Sequence, residues 1–441
     1  MSQTITAKLK LQLNPDEKSE LDKFCFAFRD GLNYASEMAF ENKKTSNVHK
    51  IQKLTYAVLR EKYNILSQAS CSICRQVGAT YKSLWSNLKN NITHLKQGHT
   101  KKRYKGLDKA PKFVSRTATL QYKRDFTFKK EQTVSVRTLD GRIKVRYTGF
   151  NKHLDLIKNE TTRIGGAKFF YCKTKKQYYL LVSIEIETPQ IEIEKLSKVK
   201  GVDVGQRNLA VTQDNKDEVK FYSGGQTLHK ANKYSIQIKQ LQKKGTRSAT
   251  RKLVLLSGKE RRFKMQTNHT IAKQIVEPNT LIGLENLTHI RERTAKKRRK
   301  GKRASKKQRK ANANNSKWAF AELHSFIDYK SNVIGSLAIK VDSDYTSQMC
   351  VKCGHTSRDN RKNGSVIFKC VCCGYEVHSD LLGSRNVLMR TILVRQDLIK
   401  KGAFVNTPNV SDKEAKAERL KRFSELRWSS DTSHHALAGG N

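Results

Sequence analysis

From its first residues the chain alternates. Ile5, Ala7, Leu9, Leu11 and Leu13 fall on one side of an extended segment, with polar or basic residues on the other, the period of a half-buried strand. Asn14-Pro15-Asp16-Glu17 then reads as a helix start: an N-cap, proline at the first helical position, and a glutamate placed to close a capping box. From Leu21 to about Lys89 the apolar spacing turns helical. Leu21, Phe24, Phe28 and Leu32 share one stripe, Ile51, Leu54 and Val58 a second, and Val77, Tyr81, Leu84 and Leu88 a third, which predicts three helices after the first strand. Between about 112 and 187 the period returns to two, through Phe126/Phe128, Val134/Val136 and Ile143/Val145/Tyr147, with Asp140-Gly141 as a hairpin signal between the last two runs. Strand, helical insert and further strands predict a β-barrel whose first strand is separated in sequence from the rest.

At Lys198 the pattern changes. KVKGVDVGQRNLAVTQD reads as strand, tight turn and strand. A basic helical stretch covers roughly 226–277, and the short buried strand TLIGLENL follows it. A helix from about Trp318 to Lys330, a strand near 338–341 and a cysteine-rich module come next. Residues 403–441 carry almost balanced charge, unlike the body, and are expected to be largely mobile.

Charge narrows the choice of partner. The 441 residues include 88 Lys and Arg against 39 Asp and Glu, a net charge of +49. Such a body repels itself unless a polyanion neutralises it; a small acidic metabolite could not engage so many cations, so a long nucleic acid is expected. An apolar content of 37% is enough for packed cores and argues against wholesale disorder. No apolar run approaches the roughly 18 residues of a membrane span, and MSQTITAKLKLQ lacks the apolar core of a signal peptide. A cytoplasmic chain with no membrane partner is the expectation, and its nine cysteines then read as metal ligands and buried thiols.

Two cysteine pairs stand out. Cys350-Val-Lys-Cys353-Gly and Cys370-Val-Cys-Cys373-Gly, with sixteen residues between them, fit a four-thiolate zinc ribbon; four thiolates close the tetrahedron, so the zinc would be structural. Cys372 is an alternative to Cys373, but only Cys370/Cys373 repeats the CxxCG form. His355 and His378 read as bystanders. Cys71 and Cys74, also a CxxC, lie in helical periodicity without a second pair and read as two thiols on a helix face; Cys25 and Cys172 read as core residues.

Three acids sit in apolar settings. Asp203 ends Val-Lys-Gly-Val-Asp, Glu285 follows Leu-Ile-Gly-Leu, and Asp380 opens a helical run. Carboxylates at a core edge are costly unless a cation binds them, and Mg²⁺ takes oxygen ligands. Two such ions roughly 4 Å apart suit phosphodiester cleavage. An acid paired with a nearby Lys or Arg is the ordinary alternative for each residue taken alone.

GVDVGQRNLAV resembles the first motif of the RuvC-like, RNase H-fold nuclease domain of the TnpB proteins and the type V CRISPR effectors. IGLENL resembles the second, and HSDLLGSRNVL the third. Trp318-x-Phe320-x-x-Leu323 with Tyr329-Lys330 and Gly335 is similar to the family's linking helix, and Val341-Asp-x-x-Tyr-Thr-Ser-Gln ahead of CxxCG is equally typical. The match is co-linear over about 198–390. Leu382 stands where the third motif usually has Asn, Gly383-Ser384 where it has Ala-Ala, and Ser343-Asp344 replaces Pro-x; none of these removes a metal ligand, and Leu382 is the departure best placed to affect Asp380.

The resemblance implies an α+β multidomain protein. Residues 1–14 and 98–197 would form a split β-barrel wedge, 15–97 a helical recognition lobe, 198–345 and 375–402 the nuclease, 346–374 a zinc ribbon that binds target nucleic acid, and 403–441 a mobile tail. It implies an RNA-guided DNA endonuclease whose guide RNA pairs with target DNA beside a short flanking motif, a single site with two Mg²⁺ on Asp203, Glu285 and Asp380 cutting both strands. Guide RNA and double-stranded target DNA are the implied partners, in a prokaryotic cytoplasm and on the nucleoid when DNA is bound, with a monomer on RNA favoured over a dimer. Lys239, Lys243, Lys244, Arg247 and Arg251 are expected to line the heteroduplex channel. Arg298, Arg299 and Arg303, in the run 291–310 with its 13 Lys and Arg, are expected to clamp nucleic acid beside the acids or to form a solvated loop. Tyr81, Trp85, Tyr122 and Phe126 are either base-stacking aromatics or, more commonly, core. Competing readings are a miniature type V effector of the same chemistry, a guide-directed repressor that does not cut, a strand-transfer transposase, and a plain zinc-ribbon transcription factor.

Overall fold

The computed structural model describes residues 2–96, 100–159, 161–288, 305, 319–361, 365–401 and 413–428. They form two compact units, 2–186 and 187–441. In chain order the first contains β1 (Ser2–Gln12), α1 (Pro15–Glu41), α2 (Val48–Glu61), α3 (Ser67–Lys96), β2 (Thr119–Leu120), β3 (Phe126–Lys129), β4 (Thr133–Arg137), β5 (Arg142–Thr148), α4 (Asn151–Lys158), β6 (Arg163–Cys172) and β7 (Gln177–Glu187).

These strands make one seven-stranded sheet in the order β2-β6-β7-β1-β5-β4-β3. The first strand thus sits in the middle, paired antiparallel with β5 across the whole helical insert. Its inward face is Ala7, Leu9 and Leu11, all fully buried. The two outermost strands, β2 and β3, are joined by residues 121–125 alone, with a Tyr122–Phe126 bridge between them, so the sheet curls until its edges meet at that end. Asp125 tightens the join by accepting a bond from the Gln121 N–H at 2.8 Å. The Asp140-Gly141 hairpin is present as a four-residue loop, in which the Thr138 N–H donates to the Gly141 carbonyl at 2.7 Å.

Helix α1 begins on the predicted capping box: the Asn14 side chain accepts from the Glu17 N–H at 2.8 Å and the Glu17 carboxylate from the Asn14 N–H at 2.9 Å. Leu21, Phe24, Phe28 and Leu32 are buried along one face, each contributing roughly 1.5–3 kcal/mol of transfer free energy. In α2 the buried face is Ile51, Thr55 and Leu59, not the predicted Ile51, Leu54 and Val58. Thr55 enters the core because its hydroxyl donates to the Ile51 carbonyl at 2.8 Å.

The second unit contains β8 (Lys198–Asp203), β9 (Asn208–Asp214), β10 (Val219–Ser223), α5 (Gly225–Lys244), α6 (Arg247–Leu256), α7 (Lys259–Ile275), β11 (Thr280–Glu285), α8 (Phe320–Val333), β12 (Leu337–Val341), β13 (Ile367–Lys369), β14 (Glu376–His378), α9 (Ser379–Lys401) and α10 (Lys413–Glu425). Its sheet runs β10-β9-β8-β11-β12, antiparallel among the first three and parallel from β8 to β12. Residues 188–197, assigned from sequence to the wedge, pack here instead, with Leu196 in one apolar cluster with Val199 and Val387.

Helix α9 lies directly on the sheet, and two glycines make room for it. Gly201 of β8 and Gly283 of β11 are cross-strand partners. A Cβ on Gly201 would collide with the backbone of α9 at Ser384 and Leu388, and one on Gly283 with the Thr391 side chain. The sequence places both glycines in the middle of strands, where they otherwise weaken the ladder. Residues 413–428, read from sequence as part of a mobile tail, instead hold α10, whose Phe423 is buried. Among the described residues no helix is long and apolar enough to cross a membrane.

Candidate active site and metal centre

Strands β8 and β11 run parallel and in register, Leu284 opposite Val202, so Asp203 and Glu285 end neighbouring strands at one edge of the sheet. Helix α9 starts at that edge and carries Asp380 in its first turn. All three line one cleft of about 410 Å³, together with Arg207, Ser343, Thr346, Ser347 and Arg361.

Each acid is held differently. Asp203 is pressed against α9 at Gly383, where a Cβ would stand 2.8 Å from its Cγ. Burial, and then the negative charges of Glu285 and Asp380, hold its carboxyl well above the usual carboxylate range. Glu285, 6% exposed, accepts a bond at 2.6 Å from the Thr346 hydroxyl. Asp380 accepts from Asn208 Nδ2 at 2.9 Å and stands 3.8 Å from the Arg361 guanidinium, while its own N–H donates to His378 Nδ1 at 3.2 Å. Asp203 thus has its proton affinity raised by burial and by two neighbouring acids, and the three carboxylates that line the cleft offer oxygen donors of the kind a hard cation takes.

Asn208, Thr346 and Arg361 escaped the sequence reading. Asn208 lies inside the first motif and Thr346 inside the Tyr-Thr-Ser-Gln string, so their place in recognisable motifs was the available signal. Arg361 lies between the cysteine pairs, where nothing distinguishes it from the other basic residues. Leu382 does not face the acids: it is fully buried with Met349, Cys350, Phe368 and Met389, packing the cysteine module onto α9. The amide that steadies Asp380 comes from Asn208 instead.

The sulfur atoms of Cys350, Cys353, Cys370 and Cys373 lie within 4.8 Å of one another, the one such ligand cluster among the described residues. Two separations, 3.7 Å for Cys350–Cys373 and 3.5 Å for Cys353–Cys370, are close to the about 3.8 Å edge of a tetrahedral four-thiolate zinc site. The two halves repeat each other. The Cys350 N–H donates to the His355 carbonyl and the Gly354 N–H to the Cys350 carbonyl; Cys370, Tyr375 and Gly374 reproduce both bonds. Gly354 and Gly374, at φ +78° and +71°, supply the left-handed turn each knuckle needs. The Tyr375 backbone N–H brings the Cys373 thiol down to about 7, whereas burial pushes Cys350 up to about 12. Cys372 is exposed and outside the cluster. Strands β13 and β14 pair beside it, so the module runs to His378 and not to 374.

Lys239, Lys243 and Lys244 on α5 and Arg247 and Arg251 on α6 are all exposed. Arg298, Arg299 and Arg303 lie outside the described residues. Of the aromatics, Tyr81 and Phe126 are core, Tyr122 packs on Phe126, and Trp85 alone is largely exposed, at 42%.

Residues 182–289 match the family model described as "Probable transposase", and residues 320–387 match that of the "Cas12f1-like, TNB domain". The CRISPR-associated endodeoxyribonuclease Cas12f1 of Sulfoacidibacillus thermotolerans is 27% identical over 259 residues, covering 54% of this chain and 56% of that protein. InsQ of Escherichia coli (strain K12) is 32% identical over 83 residues, 18% of this chain and 20% of InsQ. The chain spans about half the length of the Cas12f1 and Cas12f2 relatives it matches. Cas12f1, in a cryo-EM structure with sgRNA and target DNA, shares the fold, with a TM-score of 0.51 at 16% identity over 83% of this chain and 81% of that one. The two matching family models and these relatives make the chain homologous, over parts of its length, to the Cas12f1 and InsQ proteins.

Proposed function

We propose that this chain is an RNA-guided DNA endonuclease of the TnpB type, hydrolysing phosphodiester bonds at Asp203, Glu285 and Asp380. The observation that carries the reading is the meeting of these three acids, from β8, β11 and α9, in one cleft. The order β10-β9-β8-β11-β12, antiparallel and then parallel, supports an RNase H-like core, and the curled seven-stranded sheet supports a wedge barrel with the three helices as recognition lobe. The relative named above is an endodeoxyribonuclease, and the fold neighbour is seen with sgRNA and target DNA.

When bound, Mg²⁺ would supply the charge that polarises the phosphodiester and activates water. The chain's own residues set the stage for it. Thr346 and Asn208 fix the rotamers of Glu285 and Asp380, so the carboxylates need not reorganise when the ligand arrives. Arg361 offers a planar fork of donors suited to a phosphate oxygen. The +49 charge, with Lys239, Lys243, Lys244, Arg247 and Arg251 unburied, suits a guide RNA and a heteroduplex. Zinc on the four cysteines would be structural.

The test is to copurify the protein with its RNA, sequence that RNA, and offer a matching duplex with Mg²⁺. Cleavage is expected, lost in Asp203→Ala with RNA binding intact. Cutting that survives Asp203→Ala, or that needs no guide, would overturn the reading. A transposon-end transcript would mark a TnpB protein, and a repeat–spacer transcript a miniature type V effector.

A further inference from the structure

The segment 413–428 touches three separate pieces of the second unit. Arg419 Nε donates to Asp342 Oδ2 at 2.7 Å, and Asp342 is 1% exposed. The main-chain carbonyl of Asp342 accepts from Arg390 of α9 at 2.5 Å. Phe423 lies against that same Arg390, its ring centre 4.7 Å from the guanidinium, and both side chains are buried. Beyond α10, the Trp428 N–H donates to the Val351 carbonyl in the first cysteine knuckle at 2.7 Å.

Asp342 opens the loop that holds Glu285. The Thr346 hydroxyl, donor to Glu285, also lies 3.1 Å from the Ser343 carbonyl, and Ser343 Oγ donates to the Asn286 carbonyl at 3.1 Å. Two arginines therefore grip one end of a short loop whose other end sets the glutamate. Arg390 is a buried cation, and the face of Phe423 is a surrounding that favours one.

We infer that residues 413–428 are a strap that positions Glu285: Arg419 and Phe423 hold Asp342 and Arg390, and through them the loop Ser343–Thr346, while Trp428 ties the cysteine module to the same body. The catalytic consequence rests on the nuclease reading; the mechanical one does not.

The test uses the full-length protein with its copurified RNA, as Arg419→Ala, Phe423→Ala and Phe423→Leu, with exposed Lys421→Ala as control. Phe423→Leu removes the ring face but keeps most of the apolar volume, so it serves if either alanine variant fails to fold. Amide hydrogen exchange at residues 342–347 is expected to speed up about tenfold in the alanine variants and about threefold in Phe423→Leu, with Lys421→Ala unchanged. The single-turnover cleavage rate is expected to fall about tenfold with target binding within twofold. Unchanged exchange at 342–347 in the variants that fold would overturn the strap, as would faster exchange spread evenly over the unit. Exchange is read without any cleavage, so an inactive wild type would refute the nuclease reading and leave the strap to be judged on its own.

Discussion

The carboxylate of Asp203 occupies the space that a side chain at Gly383 would need, its Cγ 2.8 Å from where the Cβ would stand. Helix α9 can bring Asp380 to the cleft only because position 383 is bare. Gly383→Ala should push the Asp203 carboxylate aside and slow cleavage roughly 10–100-fold, the usual effect of a misplacement near 1 Å. Thermal stability should change little, because the displaced group is the end of a side chain. Wild-type single-turnover rates in Gly383→Ala would refute the link.

Gly201 is a different case, since there the obstruction is the α9 backbone. Gly201→Ala should lift the helix from β8 and cost about 1–3 kcal/mol or more, read as a lowered denaturation midpoint at unchanged slope. Gly141, in an exposed turn with nothing near a notional Cβ, has no such contact to lose, and Gly141→Ala should cost only its backbone strain at φ +140°.

Native mass spectrometry should find one zinc per chain, and Cys350→Ser should lose it together with protection of the knuckle amides. Cys372→Ser should keep it, because Cys372 is outside the cluster. Structural thiolate sites hold zinc with apparent free energies of about 10–16 kcal/mol that count toward folding, so a strong chelator or a thiol reagent should remove the zinc and unfold the knuckles together.

His324, on α8, is 6% exposed with Nε2 unpaired, and burial lowers its pKa from 6.5 to about 3. The unfolded chain binds this proton below pH 6.5 and the folded chain does not until about pH 3. The histidine's contribution is therefore fully present above pH 6.5 and lost as pH falls, at up to about 1.4 kcal/mol per unit. His324→Leu should flatten the acid limb of the stability curve by that amount. An identical acid limb in the variant would contradict the assignment.

Much of this was legible because local rules acted alone. The alternation of Ala7, Leu9 and Leu11, the Asn14–Glu17 capping box and the doubled CxxCG each need only neighbouring residues, and each is found in the structure. Leu54 and Val58 misled because a threonine bonded to its own helix can occupy a core position. Asn208 and Asp380 are 172 residues apart and Thr346 and Glu285 61 apart, so no periodicity links them. The placement of α10 was hidden for the opposite reason: its helical face is mostly charged, and only Phe423 reports that it docks.

The order of the acids along the chain sets a clock. Asp203 and Glu285 close adjacent strands, but the helix bearing Asp380 is made long afterwards, and at 5–20 residues per second the interval from the first acid to the last is roughly 10–35 s. By the time Asp380 is made, every strand of the first unit's sheet was synthesised nearly 200 residues earlier or more. A nascent chain is thus complete in its first unit while its carboxylate cluster does not yet exist.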